Sequence, residues 1–162
     1  MTAVRTRDAR PVPRPLLRIF WALHRAIYRA SDGRLGLQRP VTGQKFGMMR
    51  LTTIGRRSGR TRVAIVGYYD DGPNLVTLAM NGWARNEPAW WLNLKSTPQA
   101  VVELRDGRRC VSARAATRDE RDRLWATFAD YPGWGEDLDG LAAHRDRRPE
   151  IVVLEPSGTS NG

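Results

Sequence analysis

The chain has 162 residues, of which 41% are hydrophobic, and carries a formal net charge of +10 with a pI of about 11.0. That length favours one domain with a real core, and that composition excludes a chain disordered throughout. No apolar run approaches the roughly 18 to 20 residues that cross a bilayer. Only Lys45 and Lys95 are lysines, so arginine carries the charge. A field of this sign attracts nucleic acid, an acidic membrane surface or a polyanionic small molecule.

In chain order, residues 1–13 are basic, broken by proline, and read as a disordered tail. Residues 14–32 place Leu16, Phe20, Leu23 and Ile27 at helical spacing, with Arg14, Arg18, Arg25 and Arg29 on another face. This is an amphipathic N-terminal helix. Its stripe either packs on the fold or a partner subunit, or lies on a membrane surface with its arginines among anionic head groups. No cleavage site follows it, and the single Cys110 has no partner for an internal disulfide, so the cytoplasm is the expected location. The lipid reading would place the protein at the inner face of the cell membrane.

From residue 45 to 156 the pattern changes to short runs rich in β-branched and aromatic residues. "MMRLTTI", "RVAIVGYY" and "LVTLAM" read as strands separated by "GRRSG" and "DDGPN". Pro88 suits the first turn of a helix over "AWWLNLKST" and Pro98 stops it. "AVVELRDG" and "RRCVSARAAT" form a hairpin around Asp106-Gly107. Thr117 and Glu120 form a capping box that opens a helix carrying Leu124, Trp125 and Phe128. "EIVVLEP" is a last strand, and residues 157–162 are a flexible tail. About six strands joined mostly as hairpins, with no βαβ repetition, predict a mainly β antiparallel barrel with peripheral helices.

Protein-only catalysis has little support. His24 and His144 lie far apart and outside any metal-ligand spacing. Cys110 alternates with Arg109 and Val111 in a strand, which predicts a packing role. No Gly-x-Ser-x-Gly elbow, Walker loop or dinucleotide fingerprint occurs. An enzyme built this way borrows its chemistry from a cofactor.

Two stretches stand out. "GRRSGRTR", residues 55–62, sets Arg56, Arg57, Arg60 and Arg62 in and beside a turn. Turn N–H groups and guanidinium forks both bind phosphate or carboxylate, so the stretch reads as an anion-binding hairpin or as a solvated turn kept for solubility. "AMNGWARNEPAWWLNLKSTP", residues 79–98, combines Trp90 and Trp91 with Asn81, Asn86 and Asn93. Flat apolar walls with a few amides suit a planar heterocycle, although a core tryptophan and capping asparagines give the same pattern.

In order, Gly-Arg-Arg-Ser-Gly-x-x-Arg after "LTT", then Ala-x-Asn, then Pro-Ala-Trp-Trp-x-Asn-Leu and a closing "IVVLEP" resemble the deazaflavin (F420)-dependent nitroreductase family. The resemblance covers residues 45–156. It implies a split β-barrel like those that bind FMN. It also implies coenzyme F420, an 8-hydroxy-5-deazaflavin with a phosphate and an acidic tail, and hydride transfer from its reduced C5 to a quinone, an enone or a nitroaromatic. The arginine hairpin, with Arg56, Arg57, Ser58 and Arg62, would hold the phosphate and tail. Ala79, Met80, Asn81, Pro88, Ala89, Trp90 and Asn93 would contact the deazaflavin. Tyr69, Tyr131 and Trp134 would line the substrate pocket, with Tyr131 the candidate catalytic proton donor. The chain departs from the family at Met80, where a serine is expected near the ring, and at Glu136-Asp137-Leu138, where a third aromatic is expected. Met80 removes a hydroxyl donor and puts nitro-compound reduction in question.

The alternatives are an F420 carrier without turnover and an FMN-binding split barrel. A basic nucleic-acid-binding barrel is disfavoured, because the tryptophans fall in helix and loop and not on exposed strands. A homodimer is expected by analogy of fold alone.

Overall fold

In a computed structural model, the structure describes residues 36–80, 86–134 and 148–158. The chain divides into two compact units, Met1–Gly36 and Leu37–Gly162, and the described residues belong, Gly36 aside, to the second. The N-terminal helix and its membrane reading, His24, His144 and Asn81 lie outside the described residues.

Six strands form a closed antiparallel barrel: β1 Gly47–Ile54, β2 Thr61–Asp71, β3 Asn74–Leu78, β4 Gln99–Leu104, β5 Gly107–Ala115 and β6 Ile151–Pro156. The order around the barrel is β1-β2-β3-β6-β5-β4, and β1 closes it against β4 through Arg50↔Glu103 and Thr52↔Val101. This is the mainly β architecture expected. Helix α1, Ala89–Ser96, lies between β3 and β4. Helix α2, Arg118–Thr127, runs into a 3-10 turn at Phe128–Asp130.

Two apolar clusters explain the two kinds of strand in the sequence. Inside the barrel, Met49, Leu51, Val66, Tyr68, Val102 and Leu154 pack together with Trp90, Trp91 and Leu94 of α1. A second cluster covers the outer face of β2, β3 and β6, where Tyr69, Val76 and Val153 meet Leu124, Trp125 and Phe128. β3 and β6 are therefore buried on both faces and read as unbroken apolar runs, "LVTL" and "IVVL". β4 is covered on one face only and alternates, as "QAVVEL" does. Adjacent strand residues point to opposite faces, so Tyr68 joins the inner cluster and Tyr69 the outer one.

The local signals hold where a specific contact enforces them. Glu120 accepts from the Thr117 backbone N–H at 3.0 Å, which is the predicted capping box at the start of α2. The β4–β5 hairpin turns at Asp106-Gly107, and Asp106 holds Arg39 at 3.1 Å. Two expectations need correction. Pro88 precedes α1 with an extended ψ of 146° instead of sitting in its first turn. Cys110 is exposed and not packed, because it lies on the face of β5 opposite the buried Val111, a face that the outer apolar cluster does not cover.

Candidate functional site

The β1–β2 connection builds the arginine turn. The Gly55 carbonyl accepts from the N–H groups of Ser58 at 3.2 Å and Gly59 at 2.8 Å, and the Gly55 N–H donates to Arg60 at 2.8 Å. Gly59 has φ of 65°, a left-handed conformation that a side chain resists. Ser58 Oγ accepts from the Arg60 N–H and from Arg62 Nη2, each at 3.4 Å. Arg56, Arg57, Arg60 and Arg62 are all exposed. Among the described residues, no carboxylate pairs with any of the four.

Helix α1 backs this turn. Asn93 is 4% exposed; its amide donates to Thr53 Oγ1 at 3.2 Å and accepts from the Arg56 backbone N–H at 3.1 Å. Pro88 is buried and Ala89 exposed, so the start of the helix reaches the surface beside Trp90. Trp90 itself is only 8% exposed and belongs to the barrel core, with its ring 6.4 Å from that of Trp91. Lys95 closes the far side of α1, paired to Glu87 at 2.7 Å.

The aromatic segment lies elsewhere. Tyr131 stacks on Tyr69 with centroids 5.3 Å apart and planes 9° off parallel. Its hydroxyl is 3.2 Å from Thr42 Oγ1. Trp134 lies on β2 where only glycine permits it: a Cβ on Gly67 would come 2.9 Å from the indole. Phe46 and Phe128 flank that indole at 4.9 and 5.0 Å. The Trp134 Nε1–H is buried without an acceptor among the described residues, a costly state that a ligand oxygen would relieve. Tyr69 is fully buried and donates its hydroxyl to the Leu124 carbonyl at 2.9 Å. Burial, then the Asp71 charge, pushes its ionisation well above the ordinary range. Tyr69 thus offers no open surface and acts as the backing for Tyr131. Tyr68, inside the barrel, is pushed up to about 12 by burial and then by Asp70.

The residues singled out in the sequence therefore fall into two groups. Arg56, Arg57, Ser58, Arg62 and Asn93 meet at one end of β1 and β2. Tyr69, Tyr131 and Trp134 sit on the outer face, with Met80 packed against their cluster. From Thr61 to Gly67 along β2 is about 20 Å at roughly 3.3 Å per residue. Ala79 belongs to the inner cluster and Met80 packs on the outer one, just where β3 ends. A ligand touching both groups must be long, anionic at one end, and pass this strand end. Thr53, Thr42 and Phe46 were not singled out from the sequence. Thr53 alone left a signal: it is a polar residue at an inward position after Met49 and Leu51.

A family model for the F420H(2)-dependent quinone reductase matches residues 20–156. Rv3178 of Mycobacterium tuberculosis, provisionally named as such a reductase, is 31% identical over 121 residues, covering 75% of this chain and 95% of that protein. The F420H(2)-dependent quinone reductase Rv1261c of the same organism is 30% identical over 105 residues, 64% of this chain and 68% of its own. Among solved structures, an F420-H2 dependent reductase, FDR-A, superposes with a TM-score of 0.59 at 21% identity, covering 67% of this chain and 93% of that one. A domain-swapped dimer gives 0.62 at 21% identity, covering 87% and 99%. These two structures speak for the fold, and the sequence matches go further: the chain belongs to the F420H(2)-dependent quinone reductase family.

Proposed function

We propose that the protein is an F420-dependent reductase that passes two electrons to a quinone or a similarly electrophilic small molecule. The observation that carries this reading is the arginine turn, where four exposed arginines lie in and beside a backbone-bonded loop without carboxylate partners among the described residues. Phosphate and carboxylate are what such a donor set binds. The donor set and the spacing along β2 fit an elongated cofactor with an anionic end.

Arg57, Ser58 and Arg62 hold that end, with Arg56 beside them. The start of α1 at Pro88 and Ala89, together with Ala79 and Met80, supports the ring system. Reduced F420, when bound, supplies a hydride. The chain's part is then to orient the acceptor and exclude water. Tyr131 and Trp134 form the acceptor's walls, and the Trp134 N–H points a donor at its oxygen. The Tyr131 hydroxyl, kept in place by Thr42, donates the proton that accompanies reduction. Met80 offers no hydroxyl to a nitro group, so a carbonyl acceptor such as a quinone is favoured over a nitroaromatic.

The reading is tested by adding the purified chain anaerobically to reduced F420 with a short-chain menaquinone. Recovery of the oxidised deazaflavin absorbance, dependent on both protein and quinone, is the expected result. Binding without recovery for any quinone, enone or nitroaromatic would make the protein a carrier. A fluorescence change with FMN and none with F420 would reassign the cofactor.

A further inference from the structure

Asn93 is a polar side chain among tryptophans and leucine, 4% exposed, at a place where an unpaired amide would be costly. Protein contacts satisfy it. Its Nδ2 donates to Thr53 Oγ1, and its Oδ1 takes the Arg56 backbone N–H at 3.1 Å and approaches Arg56 Nη1 at 3.5 Å. The N–H groups of Gly55, Ser58 and Gly59 bond within the turn backbone, that of Arg60 goes to Ser58 Oγ, and that of Arg56 goes to Asn93. The Arg57 N–H has no acceptor among the described residues.

We propose that Asn93 is a positioning residue that works through the turn and does not itself touch the ligand. By taking the Arg56 N–H it locks the turn onto α1, and it leaves the Arg57 N–H, with the Arg57 and Arg62 guanidiniums, as the donors presented to a phosphate or carboxylate. Thr53 sets the amide's orientation, since its hydroxyl accepts from Nδ2 and thereby turns Oδ1 toward Arg56. The inference rests on the reading of the turn as the holder of the cofactor's anionic end. It assigns to one buried amide the selectivity for tailed over tail-less deazaflavin.

The test uses the full chain and two probes, F420 with its phosphate and glutamate tail and a deazaflavin lacking both, titrated by fluorescence. Backbone exchange at Arg56 is followed by nuclear magnetic resonance. Asn93→Leu is expected to weaken tailed F420 roughly 5- to 30-fold, the factor that corresponds to losing about one well-placed hydrogen bond to the anion. It should leave tail-less binding unchanged and speed exchange at Arg56. Asn93→Asp keeps an acceptor for the same N–H and is expected to restore slow exchange. Should Asn93→Leu fold poorly, Arg56→Pro and Arg56→Ala separate the N–H from the guanidinium, since position 56 is the second residue of the Gly55–Ser58 turn, where proline fits. Arg56→Pro should then bind tailed F420 roughly fivefold more weakly than Arg56→Ala, the lower end of that range. Equal losses for both probes would make Asn93 a ligand contact or a plain core residue and overturn the proposal. So would unchanged tailed binding. If Arg57→Glu with Arg62→Glu leaves tailed binding intact, the turn is not the anion site, and the proposal falls together with that reading.

Discussion

Arginine does two different jobs in two regions of this protein. Around α2, Arg114 bonds Glu155 at 2.8 Å and Glu120 at 2.8 and 3.2 Å. Arg123 grips Asp71 with both nitrogens at 2.7 and 3.0 Å, and Arg121 pairs with Glu150. These charges are spent on joining the helix to β2, β5 and the start of β6. At the β1–β2 turn the guanidiniums have no such partners among the described residues, and the rigidity comes from backbone bonds and Asn93. A cation whose charge is already matched stabilises the fold but offers little to a ligand. A cation held in place by neutral contacts keeps its charge for one.

The strongest challenge to this contrast concerns Trp90, which fills the barrel from the helix that also carries Asn93. Trp90→Ala should cost about 3–5 kcal/mol of stability, read by urea unfolding, because it opens a core cavity. A variant with wild-type stability but weak F420 binding would instead place the ring against the cofactor. Next in size, Arg57→Glu with Arg62→Glu should weaken tailed F420 by roughly 30- to 100-fold at low salt, two charge-assisted contacts being lost. The melting temperature should stay within about 2 °C, since exposed unpaired charges contribute little to the fold. Arg114→Leu should show the reverse. Cofactor affinity is unchanged, while stability falls by about 1 kcal/mol, or roughly 2–4 °C, the pairs being partly exposed. If Arg114→Leu lowered cofactor affinity instead, the division between the two regions would fail.

The smallest effect is one of pH. Bonds from Arg114, then Thr117, lower Glu120 from its ordinary 4.5 to about 2. A carboxylate lowered on folding contributes stability that is complete above its unfolded value and is lost as pH falls from about 4.5 to about 2. Melting temperature measured across that window should decline less steeply in Glu120→Gln than in the wild type. Cofactor affinity, measured above pH 5, should not distinguish the two.

Much of this was legible in advance where a local rule governs. The strand "MMRLTTI", the Asp106-Gly107 hairpin, the capping box at Thr117 and the arginine turn each depend on residues a few positions apart. The exposure of Cys110 was not legible because strand alternation sets it opposite Val111 but does not reveal that the outer apolar cluster stops short of β4 and β5. The solvent exposure of Tyr69 could not be read for a related reason. A strand residue on the outer face is open or buried according to whether a helix some 55 residues later covers it.

By itself the sequence determined the six strands and two of the helices, the placement of four arginines in one turn, and the ordered motifs that belong to the family. Period, turn chemistry and charge are short-range properties, and each survives translation into a string. Only the tertiary structure decided that Asn93 reaches back to Thr53 and Arg56 across 40 and 37 positions. It alone set the arginine turn, at one end of β1 and β2, apart from Tyr131 and Trp134 on the outer face. It alone left the Trp134 N–H buried without an acceptor among the described residues. These are contacts between distant segments, set by barrel closure and by the packing of α1 and α2, and no local pattern encodes the distance between two residues that the chain brings together from far apart.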